Sequence, residues 1–145
     1  MTNLNFINKI GAFYPIKLSS NESNHTFYID YKKLPSLSAI GFYIVLAGLH
    51  LHQTFKVHLT IIDDDGKVLI DTDNTINSDD LPKENIIKEM EISTGTFSIS
   101  PRPFHVQTGV HAYKASVLLK DASGKIWDNA STWFLTRPDP DLDKD

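Results

Sequence analysis

The sequence contains no cysteine. That excludes disulfides, a thiolate nucleophile and any cysteine-ligated zinc. Long apolar runs are missing too. The longest, Ile40 to Leu49, is interrupted by Gly41 and Gly48. At about 1.5 Å per helical residue it falls far short of a bilayer core of about 30 Å, so no membrane partner is expected. The first residues, Met1 to Lys9, are polar and interrupted and lack the basic start and unbroken apolar stretch of a signal peptide. The default expectation is a cytoplasmic protein, in which the Asn-x-Ser/Thr triplets at Asn21, Asn24 and Asn129 read as chance. Positive charge is sparse, with 14 Lys and Arg against 18 Asp and Glu and a formal net charge of −4. The densest basic pair is Lys32–Lys33, so nucleic acid is not an expected partner. There is no Gly-x-Ser-x-Gly elbow and no Gly-rich phosphate loop, which removes the commonest signatures of nucleophilic and nucleotide chemistry.

What the chain does have is alternation. From Gln53 to Ile62, the residues Phe55, Val57, Leu59 and Ile61 alternate with Thr54, Lys56, His58 and Thr60. This is the pattern of a strand with one face in the core and one in water. It runs into Asp63-Asp64-Asp65-Gly66-Lys67 and returns as Val68-Leu69-Ile70, a hairpin. The same grammar recurs where Tyr113, Ala115, Val117 and Leu119 lead into Asp121-Ala122-Ser123-Gly124-Lys125 and a return strand over Ile126–Leu135. Phe55, Val57, Leu59, Ile61, Tyr113, Ala115, Val117 and Leu119 are therefore expected to be buried, and Lys56, His58 and Lys114 exposed. Further strands are expected over Phe13–Leu18, His25–Tyr31, Phe42–Leu46, Ile92–Ile99 and Phe104–Gln107, which are rich in aromatic and β-branched residues. One short helix is predicted near Pro82–Met90, capped by Asp79 or Asp80, with Ile86, Ile87 and Met90 as its apolar stripe. The expected fold class is all-β: an antiparallel β-sandwich, immunoglobulin-like or jelly-roll-like, with one short helix. A single domain over 1–136 is expected to be followed by a flexible acidic tail, 137–145.

Four constellations invite a chemical reading. His50, His52 and His58 share parity, so on one continuous strand their imidazoles would line one face and could begin a metal site. A cupin-type enzyme uses such a pair, but it also needs a carboxylate shortly after, and Gln53-Thr54-Phe55-Lys56 supplies none. The bland alternative is a solvated strand face, and no cofactor is expected. Asp71-Thr72-Asp73-Asn74-Thr75 reads superficially like the nucleophile loop of haloacid-dehalogenase-type phosphatases, which requires a parallel sheet covered by helices. The acidic segment from Asp63 to Asp80 suits calcium in its residue types but lacks the EF-hand order; its alternative role is capping turns. Finally, adjacent aromatics on a strand point to opposite faces, so one member each of Phe27/Tyr28, Phe42/Tyr43 and Trp133/Phe134 can face outward. Phe42, Tyr43, Trp127 and Trp133 are the candidate interaction residues, for a protein surface or a sugar platform.

The stretch Leu34-Pro35-Ser36-Leu37 through Phe42-Tyr43-Ile44-Val45, with Phe55 through Gly66, resembles a group of small uncharacterised bacterial proteins that carry a domain of unknown function. The resemblance implies a β-sandwich and no enzymatic role. That group has a Gly-x-Tyr strand, whereas here Val110-His111-Ala112 separate Gly109 from Tyr113. The functional expectation is a non-enzymatic binding or assembly module whose partner is another protein or a second copy of itself. The alternatives are a small metal-dependent enzyme of cupin type built on His50, His52 and His58, and a carbohydrate-binding module.

Overall fold

The structure, a computed structural model, describes residues 6–18 and 26–140. Ten strands follow in order: β1 (Lys9–Lys17), β2 (Tyr28–Tyr31), β3 (Ser36–Leu37), β4 (Ile40–His50), β5 (Thr54–Asp63), β6 (Val68–Asn77), β7 (Ile92–Ile99), β8 (His105–Val106), β9 (His111–Asp121) and β10 (Ile126–Pro138). They form a three-stranded sheet, β1-β4-β7, a five-stranded sheet, β2-β10-β9-β5-β6, and a two-stranded ribbon, β3-β8. All pairings are antiparallel except that of β2 with β10. The order β10-β9-β5-β6 facing β1-β4-β7 is that of an immunoglobulin-type sandwich. No helix among the described residues is long and apolar enough to cross a membrane.

The core lies where the alternation places it. Phe55, Val57, Leu59 and Ile61 of β5 and Tyr113, Ala115, Val117 and Leu119 of β9 are buried, and they meet Phe42, Ile44 and Leu46 of β4. At about 1.5–3 kcal/mol for each large aliphatic or aromatic side chain, these rows hold the register, because a one-residue slip would expose every member. Rings knit the two sheets together: Phe42 stacks on Phe13 at 5.3 Å and meets Phe134 edge-on at 6.0 Å, and Phe134 stacks on Tyr113 at 4.8 Å. Lys56 is exposed as expected. His58 and Lys114 are half-buried instead, the first held between two aspartates and the second over the Trp133 ring.

Three expectations are corrected. The helix over Pro82–Met90 does not form, and the chain makes two 3₁₀ turns, Ser78–Asp80 and Lys83–Asn85. Asn77 caps the first, its Oδ1 accepting from the Asp79 amide at 2.9 Å. Beyond the second, Ile86 is extended and Ile87 pairs with Ile92. A run of fewer than ten residues gains little from helical propagation, and two adjacent β-branched residues favour the extended alternative. The return strand β6 does not stop at Ile70 but continues through Asn77, so Asp71 and Asp73 stand on an antiparallel edge strand and not in a phosphatase loop. The expected tail begins too early, since Arg137 and Pro138 are still strand, in register with Asp30 and Tyr31. Its last residues, 141–145, lie outside the described residues.

Candidate functional site

The three histidines do not share a strand. His50 ends β4 in the three-stranded sheet, while His52 sits in the following turn with a left-handed φ of 61°. His52 contacts Asp79, and His50 contacts Leu51 and Gln53. His58 lies on β5, on the outer face of the other sheet, where Nε2 meets Asp71 at 2.5 Å and Nδ1 meets Asp73 at 2.6 Å. Both of its ring nitrogens thus face a carboxylate, and His58 turns neither of them towards His50 or His52. It holds the Asp73 carboxyl below the usual range. The turn between His50 and Thr54 breaks the shared face on which a cupin-type site depends.

The acidic segment divides in the same way. Asp63, Asp64 and Asp65 bring carboxylate oxygens within 4.8 Å of one another. Their oxygens have local work. Asp63 Oδ1 accepts from the amides of Asp65 at 3.0 Å and Lys67 at 2.9 Å, closing the turn. Asp64 accepts from the Ala112 amide at 3.1 Å and contacts the His111 ring at 3.3 Å. The Ala112 N–H, first, and then His111 keep the Asp64 carboxyl below its ordinary value. This turn forms one wall of a cleft of about 550 Å³ at the end of the sandwich, opposite the Arg102–Gln107 segment, with Tyr113 and His111 between them.

The four aromatic candidates have separate fates. Phe42 is fully buried and belongs to the core, not to an interaction surface, because its parity on the central strand β4 points it inward. Tyr43 faces the other way and stacks on Tyr14 across the β1–β4 pair at 5.2 Å. Burial, and next the neighbouring Tyr43, raise the Tyr14 hydroxyl pKa. Trp127 is half-buried at the β9–β10 turn; its Nε1–H donates to Asp121 at 3.0 Å, and Lys125 lies 3.9 Å above its ring. Trp133 alone is well exposed, at 59%. It stands six residues from Trp127 on β10, roughly 20 Å at the rise of a strand, so the two rings form no common platform.

Trp133 has other companions. Tyr28 on β2 is 53% exposed and Phe27 43% exposed. With Ala112, Phe134 and Leu135 they line a groove of about 350 Å³ on the outer face of the five-stranded sheet. Register builds it: Leu135 sits between Tyr28 and Ala112, and Trp133 stands opposite Lys114. The parallel pairing of β2 with β10 brings Phe27 and Tyr28 here from a hundred residues away in sequence; the Leu135 amide donates to the Phe27 carbonyl at 2.7 Å. Two cations frame the groove. The Arg137 guanidinium lies 4.9 Å from the Tyr28 ring centre and its Nε donates to Asp30 at 2.6 Å, and Lys114 Nζ is 5.4 Å from the Trp133 ring centre. The aromatic pairs signalled one outward member of Phe27 and Tyr28, and both are exposed. Leu135 and Arg137 were missed, the latter because Pro138 and the acids after it read as a tail.

No protein-family model matches the chain, and no curated protein matches it. Among solved structures, a β-glucuronidase of Bacteroides uniformis aligns at a TM-score of 0.48 and 12% identity over 83% of this chain. A calcium-binding mutant of Bacteroides uniformis β-glucuronidase 2 aligns at 0.46 and 14% identity over 65% of it. Bifidobacterium dentium β-glucuronidase aligns at 0.43 and 14% identity over 89% of it. The chain spans 12%, 11% and 18% of those three chains in turn.

Proposed function

We propose that this protein is a non-enzymatic binding module whose groove at Phe27, Tyr28 and Trp133 takes an apolar segment of another protein, flanked there by acidic residues. The observation that carries the reading is the exposure of three large aromatics around one apolar groove with cations at its rim. Exposed apolar surface of this kind costs solubility and marks contact sites in folded proteins. The apolar lining favours a protein segment over a sugar. A saccharide needs polar side chains converging beside the stacking ring, and of the groove's lining residues only Tyr28 and Trp133 have a polar side-chain atom, each on a ring that would itself do the stacking. Charge favours a different chain over a second copy. In a two-fold dimer centred on the groove, the Lys114 and Arg137 of one copy would be brought up to those of the other, like charge to like charge, whereas Asp or Glu beside an apolar anchor complements both.

Panning a random-peptide display library against the purified protein tests the reading. Enriched peptides should pair large apolar residues with Asp or Glu. A representative peptide should bind Trp133→Ala about 30-fold more weakly, as for loss of an interface tryptophan worth about 2 kcal/mol. Lys114→Glu should weaken acidic peptides selectively. No enrichment, or binding indifferent to Trp133→Ala in a protein of unchanged Tm, overturns it.

A further inference from the structure

At the far side of the groove's Ala112, the His111 ring makes two bonds of one kind. Nε2 lies 2.7 Å from the Thr108 carbonyl oxygen, and Nδ1 lies 3.3 and 3.4 Å from the two oxygens of Asp64. Both partners can only accept, so both nitrogens carry hydrogen in this arrangement. Gly109, with a left-handed φ of 87°, folds the loop so that the carbonyl reaches the ring. The ring thus joins two segments distant in sequence, the β5–β6 turn and the loop ahead of β9.

We propose that His111 is a protonation-controlled strap: as the imidazolium it ties the β5–β6 turn through Asp64 to the Thr108 carbonyl, and as the neutral ring it can hold only one of the two. A neutral imidazole has one N–H. The shorter bond to Thr108 keeps it, which leaves the Nδ1 lone pair facing the Asp64 carboxylate. The turn is then held through Asp64 by the Ala112 N–H alone and loosens, and with it one wall of the end cleft. The charged and titratable groups around the ring are Asp63, Asp64, Asp65 and Lys67 on the turn side, Arg102 and His105 across the cleft, and Tyr113 on its own strand. The Thr108 carbonyl, first, and then Asp64 raise the His111 pKa above its ordinary value. A raised folded-state value means that the strap contributes fully below about pH 6.5 and is lost as pH rises through the folded midpoint.

The protein carries its own control. The β9–β10 turn repeats the Asp-x-x-Gly-Lys frame and hydrogen bonding of the β5–β6 turn, Gly124 N–H to Asp121 O matching Gly66 N–H to Asp63 O, both at 3.0 Å, and among the described residues no histidine bonds to it. Long-range 1H–15N NMR from pH 5 to 9 on the intact protein, with signals assigned by His111→Ala, should show His111 titrating above 6.5 and keeping its proton on Nε2 when neutral. Asp64→Asn should lower that midpoint. The ratio of Gly66 to Gly124 amide exchange rates should rise about two- to fivefold across it, the factor expected of a partly exposed ion pair. In His111→Ala the ratio should be flat with pH. A His111 midpoint at or below 6.5, or a flat ratio in the wild-type protein, overturns the strap.

Discussion

The Asp121 carboxylate accepts four hydrogen bonds: from the Ser123 amide at 2.9 Å and hydroxyl at 2.6 Å, from the Lys125 amide at 3.1 Å, and from Trp127 Nε1–H at 3.0 Å. The ionised form receives them all, with the Ser123 hydroxyl first and Trp127 next, and the carboxyl is pulled down to about 2. A depressed folded-state value contributes stability above about pH 4, which disappears as pH falls towards 2. Trp127 fluorescence should therefore change over that range with melting of the turn, and Asp121→Asn should remove this acid step. Asp121→Ala should cost about 1–2 kcal/mol at neutral pH in denaturant unfolding, with Asp63→Ala lower because its recorded side-chain bonds are to two amides only. This chemistry was legible in advance, because Asp-x-x-Gly-Lys acts within five residues. The fate of His52 was not, since its left-handed backbone answers to the turn between two sheets and to Asp79, and no local pattern announces either.

Among the elements, β5 shows how alternation converts to energy. Leu59 is fully buried between the sheets and Lys56, on the same strand, is exposed. Leu59→Ala should cost about 2–5 kcal/mol in urea unfolding, the range for a core leucine. Lys56→Ala should lie within about 0.5 kcal/mol of the parent. Equal effects would show that the strand's register differs from the one described. The β5 and β9 faces were legible because period two is carried by eight residues in β5 and seven in β9. The longer reach of β6 was hidden by Asp71, Asp73 and Asn74, which are poor strand formers but stand on a solvated edge where the His58 ring contacts the two aspartates. The groove was half-legible for a similar reason. Trp133 could be placed outward from parity on β10, but its neighbours Phe27 and Tyr28 arrive through a parallel pairing that no hairpin signal encodes.

For the whole molecule the decisive question is what covers the sheet edges, because an open edge invites another chain. The uncharged Phe42–Leu46 run is harmless, since β4 is the central strand of its sheet. On the β1 edge, the Ile10 amide donates to Asp128 Oδ2 at 2.8 Å. The β2 edge is only four residues long, and β6 presents Asp71 and Asp73. That leaves β7, Ile-Ser-Thr-Gly-Thr-Phe-Ser-Ile, with no charge and no proline. Its cover is the segment that failed to become a helix: Asn85 Nδ2 donates to the Thr94 carbonyl at 2.8 Å, and Ile87 exchanges both backbone bonds with Ile92 at 2.9 and 3.3 Å. The 3₁₀ turns thus occupy the place where a further strand would pair with β7, and they do so with a side-chain amide that ends the ladder. With each of these edges guarded, light scattering should report a monomer of 16.3 kDa at high micromolar concentration. Asn85→Ala should lower stability by about 0.5–1.5 kcal/mol and produce concentration-dependent association through β7. Asn85→Asp, which places a charge at the same edge, should lose the bond without associating. A wild-type dimer would overturn the edge assignment, and so would an Asn85→Ala variant that stays monomeric to the same concentration.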